Sequence, residues 1–169
     1  LMKKINKNIL YFKINNFLFI SYVFIFCFYF LFISNSLNLK ITLYILLLVC
    51  IASDLGGFIF GKIFKGPKLT KISPKKTIIG SIGSIILSCL VILILFSYIT
   101  QVINYKIILL GILTSIGCQF GDLFFSYLKR KAKLKDTGNF LPGHGGILDR
   151  VDSIILGFPA GLITFYIMS

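Results

Sequence analysis

This 169-residue chain has five acidic residues, all aspartate, with one histidine (His144) and two arginines (Arg130 and Arg150). Seven of these eight scarce groups fall between Asp122 and Asp152, and the eighth is Asp54. Ionisable groups at membrane depth cost about 2.5–3.5 kcal/mol at a helix centre, so where they gather they mark a pathway or a reaction centre. Carboxylates clustered beside one histidine, with no cysteine among them, form a hard-oxygen set that suits Mg²⁺ better than zinc. Mg²⁺ arrives with substrate phosphates, and Lys129, Arg130 and Lys135 are interleaved with the cluster as cations able to neutralise a polyphosphate. The catalytic work expected of such a site is positioning and charge stabilisation at phosphorus. A phosphomonoester nucleophile, with a second pKa of about 6, is already ionised at neutral pH and needs no strong general base.

Spacing supports a single site. On a helix that continues past the membrane interface, Asp122, Ser126, Lys129 and Arg130 stand at i, i+4, i+7 and i+8, on one face. Asp149 and Asp152 are i, i+3 at the start of the last apolar run, where a helix N-terminus favours carboxylates. Between these pairs runs Lys135-Asp136-Thr137-Gly138-Asn139-Phe140-Leu141-Pro142-Gly143-His144-Gly145-Gly146, whose glycines let backbone N–H groups approach phosphate oxygens. Flanked by Lys, His and three Asp, the segment reads as a polyphosphate and metal site.

A second polar segment runs from Asp54-Leu55-Gly56-Gly57 through Lys75-Lys76-Thr77 and carries six lysines. Its Gly56-x4-Gly61-Lys62 imitates a P-loop. The match fails, because Ile63 stands where Ser or Thr must reach the magnesium and the motif grows out of an apolar run, not a strand.

The elements that must position these groups are membrane helices. The chain is 57% hydrophobic, its apolar residues lie in uninterrupted blocks, and a helix of about 20 apolar residues crosses ~30 Å of hydrocarbon. Five spans are expected, over 17–34, 41–61, 78–99, 107–128 and 153–168. The first is long, aromatic and without a small-residue cleavage site, so it reads as a retained helix, not a signal peptide. With the N-terminus inside, sixteen of the eighteen Lys and Arg fall on the cytoplasmic side and only Lys40 and Lys106 outside. Both polar segments then share the cytoplasmic face of a multi-pass protein of the cytoplasmic membrane. The net charge of +13 needs no nucleic-acid partner, since anionic membrane lipid attracts each juxtamembrane Lys or Arg by about 1 kcal/mol. Cys27, Cys50, Cys89 and Cys118 all lie within expected spans, lack metal-ligand spacing, and read as small packing residues. The expected fold is an all-α integral membrane protein with about five transmembrane helices and two cytoplasmic segments. Residues 1–40 form a basic segment and first span, and residues 41–169 a membrane-embedded catalytic domain.

The run Ser126-x-Leu128-Lys129-Arg130-x4-Lys135-Asp136-x-Gly138-x2-Leu141-Pro142-x-His144-Gly145-Gly146-Ile147-x-Asp149-Arg150-Val151-Asp152 resembles the signature of the CDP-diacylglycerol synthases, or phosphatidate cytidylyltransferases. Asp54 to Lys62, followed by Ile72-Ser73-Pro74-Lys75-Lys76-Thr77, is similar to an upstream region of that family. The resemblance implies a nucleotidyltransferase of phospholipid biosynthesis that takes CTP and phosphatidic acid to CDP-diacylglycerol and pyrophosphate with Mg²⁺, with room for a second metal ion. It implies Asp122, Asp149 and Asp152 as metal ligands and catalytic residues, with Lys129 and Arg130 at the reacting phosphates. Ser126, Lys135, Asp136, His144, Gly145, Gly146, Arg150, Lys75 and Lys76 follow as substrate-binding residues. Two departures stand out. Ile79 occupies a position where the family usually has Glu, and the family commonly has more N-terminal spans, so a homodimer would complete a lipid-facing wall.

Three competing readings differ in what they need. A CDP-alcohol phosphotransferase needs a D-G-x2-A-R run, which this sequence lacks. Cytidylyl transfer to another lipid phosphate needs only a different acceptor pocket. An inactive membrane scaffold or channel needs polar residues facing one another at mid-membrane, whereas the charges here sit at helix ends.

Overall fold

The computed structural model describes residues 20–25, 27–28, 30–31, 37–70, 73, 76–101, 104–132 and 148–168; of residues 38 and 148–150 it describes the backbone alone. The chain divides into two compact units, 1–41 and 42–169. In the first, residues 20–25, 27–28 and 30–31 are helical. Four long helices follow: α1 (Leu37–Phe64), α2 (Ile78–Thr100), α3 (Tyr105–Lys131) and α4 (Leu148–Met168). Each is long and apolar enough to cross a membrane, and no strand occurs among the described residues. The chain is therefore an all-α, multi-pass membrane protein, because in lipid only a structure that satisfies its own backbone groups can span.

Helix limits follow local chemistry. The Thr77 hydroxyl accepts the Gly80 N–H at 3.0 Å and caps α2, and the Asn104 side chain accepts the Lys106 N–H at 3.2 Å at the start of α3. α2 ends where Gln101 turns left-handed (φ 55°) and donates its N–H to the Ser97 carbonyl at 2.9 Å. Three helices are clearly longer than the apolar pattern predicts, the first being α1, which covers Leu37–Phe64 against an expected 41–61. α3 runs on to Lys131 through Lys129 and Arg130, and α4 begins at Leu148, five residues before the expected start at 153. Charged residues next to a span extend the helix into the interface; hydropathy marks the hydrocarbon boundary, not the helix end.

Small residues bring the helices of the second unit together. A Cβ on Gly83 of α2 would run into the Phe60 ring of α1. On α3, a Cβ on Gly121 would stand 2.6 Å from the Asp152 carbonyl oxygen of α4, and a Cβ on Gly157 of α4 would strike Cys118 of α3. The buried interior mixes Leu46, Val49, Ile92, Phe125 and Phe158 with Ser53, Ser88, Thr114, Ser115 and Ser153. These hydroxyls are used: Ser53 and Ser115 share a hydrogen bond of 2.9 Å between α1 and α3, and Thr114 donates to its own helix at the Leu110 carbonyl. The cysteines are free, with Cys50 and Cys118 buried as packing residues.

The two ends of this helix set differ. At one, Tyr98, Tyr105 and Tyr166 stand 79%, 74% and 77% exposed, the placement of an interfacial aromatic belt. At the other, α1 ends at Lys65, which adopts a left-handed φ of 42°, and the chain doubles back toward α2. Lys68 and Thr77 bridge, Leu69 N–H donates to the Lys76 carbonyl at 2.8 Å, and Lys76 N–H donates to the Ser73 carbonyl at 3.1 Å.

Candidate functional site

The charged residues gather at this second end. Lys76 is fixed through its backbone by the bonds to Leu69 and Ser73, directly before the α2 cap. Its ammonium forms an ion pair with the Asp122 carboxylate of α3, and both side chains are partly exposed (26% and 32%). Seven residues along the same helix, Lys129 reaches Asp152 of α4 at 3.2 Å, in a pair that is only 15% and 10% exposed. The other Asp152 oxygen accepts the Ser153 N–H at 3.0 Å, and the Ser153 hydroxyl donates to the Asp54 carboxylate of α1 at 2.6 Å. Asp54 keeps an exposed edge and lies within the fields of Asp122, Asp152 and Lys76. Three carboxylates and two ammonium groups, from α1, α3, α4 and the segment just before α2, thus share one locale.

The sequence folds this way because Gly121 lets α3 lie directly on the Asp152 backbone. Asp122 and Asp152 are brought onto touching helix surfaces as a result. The Ser81 hydroxyl donates to the Gln119 side-chain oxygen, and the Gln119 amide donates back to the Ser81 carbonyl at 3.1 Å. Gln119 precedes Asp122 by three residues, so this grip joins α3 to the first turn of α2 beside the Lys76–Asp122 pair, which joins α3 to the segment just before it. Breaking one partner of a well-buried pair such as Lys129–Asp152 leaves a charge uncompensated, which costs about 3–5 kcal/mol.

The structure brings together Asp122, Asp152, Lys129 and Lys76. Ser126 stands half-buried one turn beyond Asp122, and Arg130 is exposed at the end of α3. Asp149 and Arg150 fall in the first turn of α4, but their side chains lie outside the described residues. Lys75, Lys135, Asp136, His144, Gly145 and Gly146 also lie outside the described residues.

Asp54 and Ser153 were not among the site residues expected from sequence, and the structure adds both. One signal pointed to Asp54: it is the only acid in the first 121 residues. Ser153 had no signal beyond its place next to Asp152.

Among the described residues, no three His, Cys, Asp or Glu side chains form a metal-holding group. The donors that are described still fit Mg²⁺, which is commonly held by one or two carboxylates together with substrate phosphates and water. Asp122 and Asp152 supply two such carboxylates, each already facing an ammonium group.

The family model described as cytidylyltransferase family matches residues 1–168. The phosphatidate cytidylyltransferase of Rickettsia typhi is 47% identical over 125 residues, covering 68% of this chain and 55% of that protein. The Helicobacter pylori (strain 26695) protein of the same name is 39% identical over 116 residues, covering 66% and 42%, and that of Synechocystis is 42% identical over 127 residues, covering 73% and 42%. The chain spans about half the length of the curated relatives it matches.

Proposed function

This chain belongs to the cytidylyltransferase family, and from that premise we propose that it transfers CMP from CTP to phosphatidic acid, giving CDP-diacylglycerol and pyrophosphate. The observation that carries the proposal is the convergence of Asp54, Asp122 and Asp152 with Lys76 and Lys129 at one end of the helices. The curated relatives bear the name of this activity.

In the proposed reaction a phosphatidate oxygen attacks the α-phosphorus of CTP, the new P–O bond forms, and the bond to the pyrophosphate oxygen breaks. Lys76 and Lys129 move from their carboxylates to the triphosphate and stabilise the charge that develops on the leaving group. Arg130, Lys75, Lys135 and Arg150 add positive charge, and Ser126, Asp136, His144, Gly145 and Gly146 hold phosphates and nucleotide. Asp122 and Asp152, with Asp149 one turn before Asp152, would hold Mg²⁺, with room for a second ion. When bound, the metal supplies charge neutralisation at the phosphates. Asp54, anchored by Ser153, adds a third carboxylate beside Asp122 and Asp152.

The end bearing this site faces the cytoplasm, where CTP is available, and the protein sits in the cytoplasmic membrane as a multi-pass enzyme. A homodimer would complete the lipid-facing wall around it. The test is direct: the purified chain in detergent is given CTP, phosphatidic acid and Mg²⁺, and lipid-linked CMP and pyrophosphate are followed. Metal-dependent formation of both supports the proposal. Formation of neither, under conditions where a longer relative is active, counts against it.

A further inference from the structure

We infer that Gln119 is a positioning residue that sets the register of Lys76 against Asp122 through its two-point grip on Ser81. The inference rests on the cytidylyl-transfer reading of that pair. Gln119 engages Ser81 twice, as acceptor of the hydroxyl and as donor to the carbonyl, and so fixes both the height and the rotation of the first turn of α2. A single bond would leave one of these free. Ser81 follows Lys76 by five residues, with the Thr77 cap between them, and Gln119 precedes Asp122 by three on the same face of α3. The latch therefore lies one turn from Asp122 on α3 and in the first turn of α2, directly after the Lys76–Thr77 segment.

It also continues inward. The Gln119 amide reaches the Ser115 hydroxyl at 3.5 Å, Ser115 is bonded to Ser53 of α1 at 2.9 Å, and Ser53 adjoins Asp54. Asp54 in turn accepts from Ser153 of α4. A polar chain thus runs beneath the carboxylates through all four helices, with Gln119 as the link between α2 and α3. Small-residue packing brings these helices close, and the paired hydrogen bonds add a fixed distance at this end.

Two variants separate positioning from stability. Gln119→Leu leaves Ser81 without its partner, whereas Ser81→Ala/Gln119→Leu removes both polar groups, a change that is often nearly neutral for stability. The expected result is that the double variant recovers the thermal midpoint of the native chain while kcat stays about tenfold low or lower, as displacement of a reacting group produces, with the KM for CTP little changed. A kcat that recovers together with the thermal midpoint would overturn the inference, as would a native kcat in Gln119→Leu. A second readout does not depend on turnover. In a chain whose four native cysteines are replaced, Lys76→Cys and Asp122→Cys should be joined in membranes by a short bis-maleimide that spans the length of the lost side chains, and adding Gln119→Leu should reduce the yield. An unchanged yield overturns the register argument even if the native chain transfers CMP. Absence of transfer by the native chain instead tells against the cytidylyl reading and leaves the cross-linking result to judge the latch.

Discussion

The Ser153 hydroxyl of α4 donates to the Asp54 carboxylate of α1 at 2.6 Å, across 99 residues of sequence. It is the described side-chain bond that ties the upstream polar segment to the end of the signature segment. The bond and the charge it serves can be separated. Ser153→Ala removes a hydrogen bond to an ionised group and should destabilise by about 1.5–3 kcal/mol, read as a lowered thermal midpoint in detergent. Asp54→Asn can still accept from Ser153, so it should hold stability and lose turnover. Full turnover in Asp54→Asn would make the carboxylate a purely structural partner.

Asp149→Asn should abolish CMP transfer while the protein still inserts and purifies as the native chain does. Chelation of divalent metal should silence the native chain in the same assay, and Mg²⁺ should restore it. A variant with near-native turnover removes Asp149 from the proposed metal set, and activity that survives chelation removes the metal.

Gly121→Ala tests how closely α3 must lie on α4. The added Cβ would stand 2.6 Å from the Asp152 carbonyl oxygen, a backbone atom that moves only with its helix. Overpacking of this kind costs about 1–3 kcal/mol. The shift should displace Asp152 from Lys129 and cost activity at temperatures where the protein remains folded. Equal loss of activity and of thermal stability would mean that the contact matters for folding alone.

Membrane topology can be read by labelling single cysteines placed at Lys68→Cys, Lys131→Cys and Lys106→Cys in a chain whose native cysteines are replaced. Positions 68 and 131 should react with an impermeant reagent from the cytoplasmic side, and position 106 from the other. Opposite sides for 68 and 131 would break the one-site arrangement.

The helices were legible because apolar blocks of spanning length have few alternatives in lipid. Their ends were less so: α4 starts at Leu148 because Asp149 and Arg150 join its first turn, and hydropathy treats such residues as loop. In the site, Asp122 and Asp152 could be singled out because acidic charge is scarce and costly here, Lys129 because it is interleaved with that acidic cluster, and Lys76 through the family resemblance. Their pairing could not be read, since whether Lys76 meets Asp122 or another carboxylate depends on the fold-back over residues 65–77 and on the α2–α3 contact. Ser53, Ser81, Ser153 and Gln119 were illegible for a different reason. Serine is common in membrane helices, and nothing in its local sequence tells a lipid-facing hydroxyl from one that bridges two helices.

The three exposed tyrosines at the far end have a consequence for lipid traffic. With these rings at one surface of the bilayer, α2, with 23 residues at about 1.5 Å each, is long enough to place the charged end at the opposite surface. In that placement Asp122 and Asp152 would face the headgroups of a single monolayer. Under the proposed reaction, substrate would be drawn from that monolayer and product returned to it, and supplying the other monolayer would be left to whatever flips lipids across.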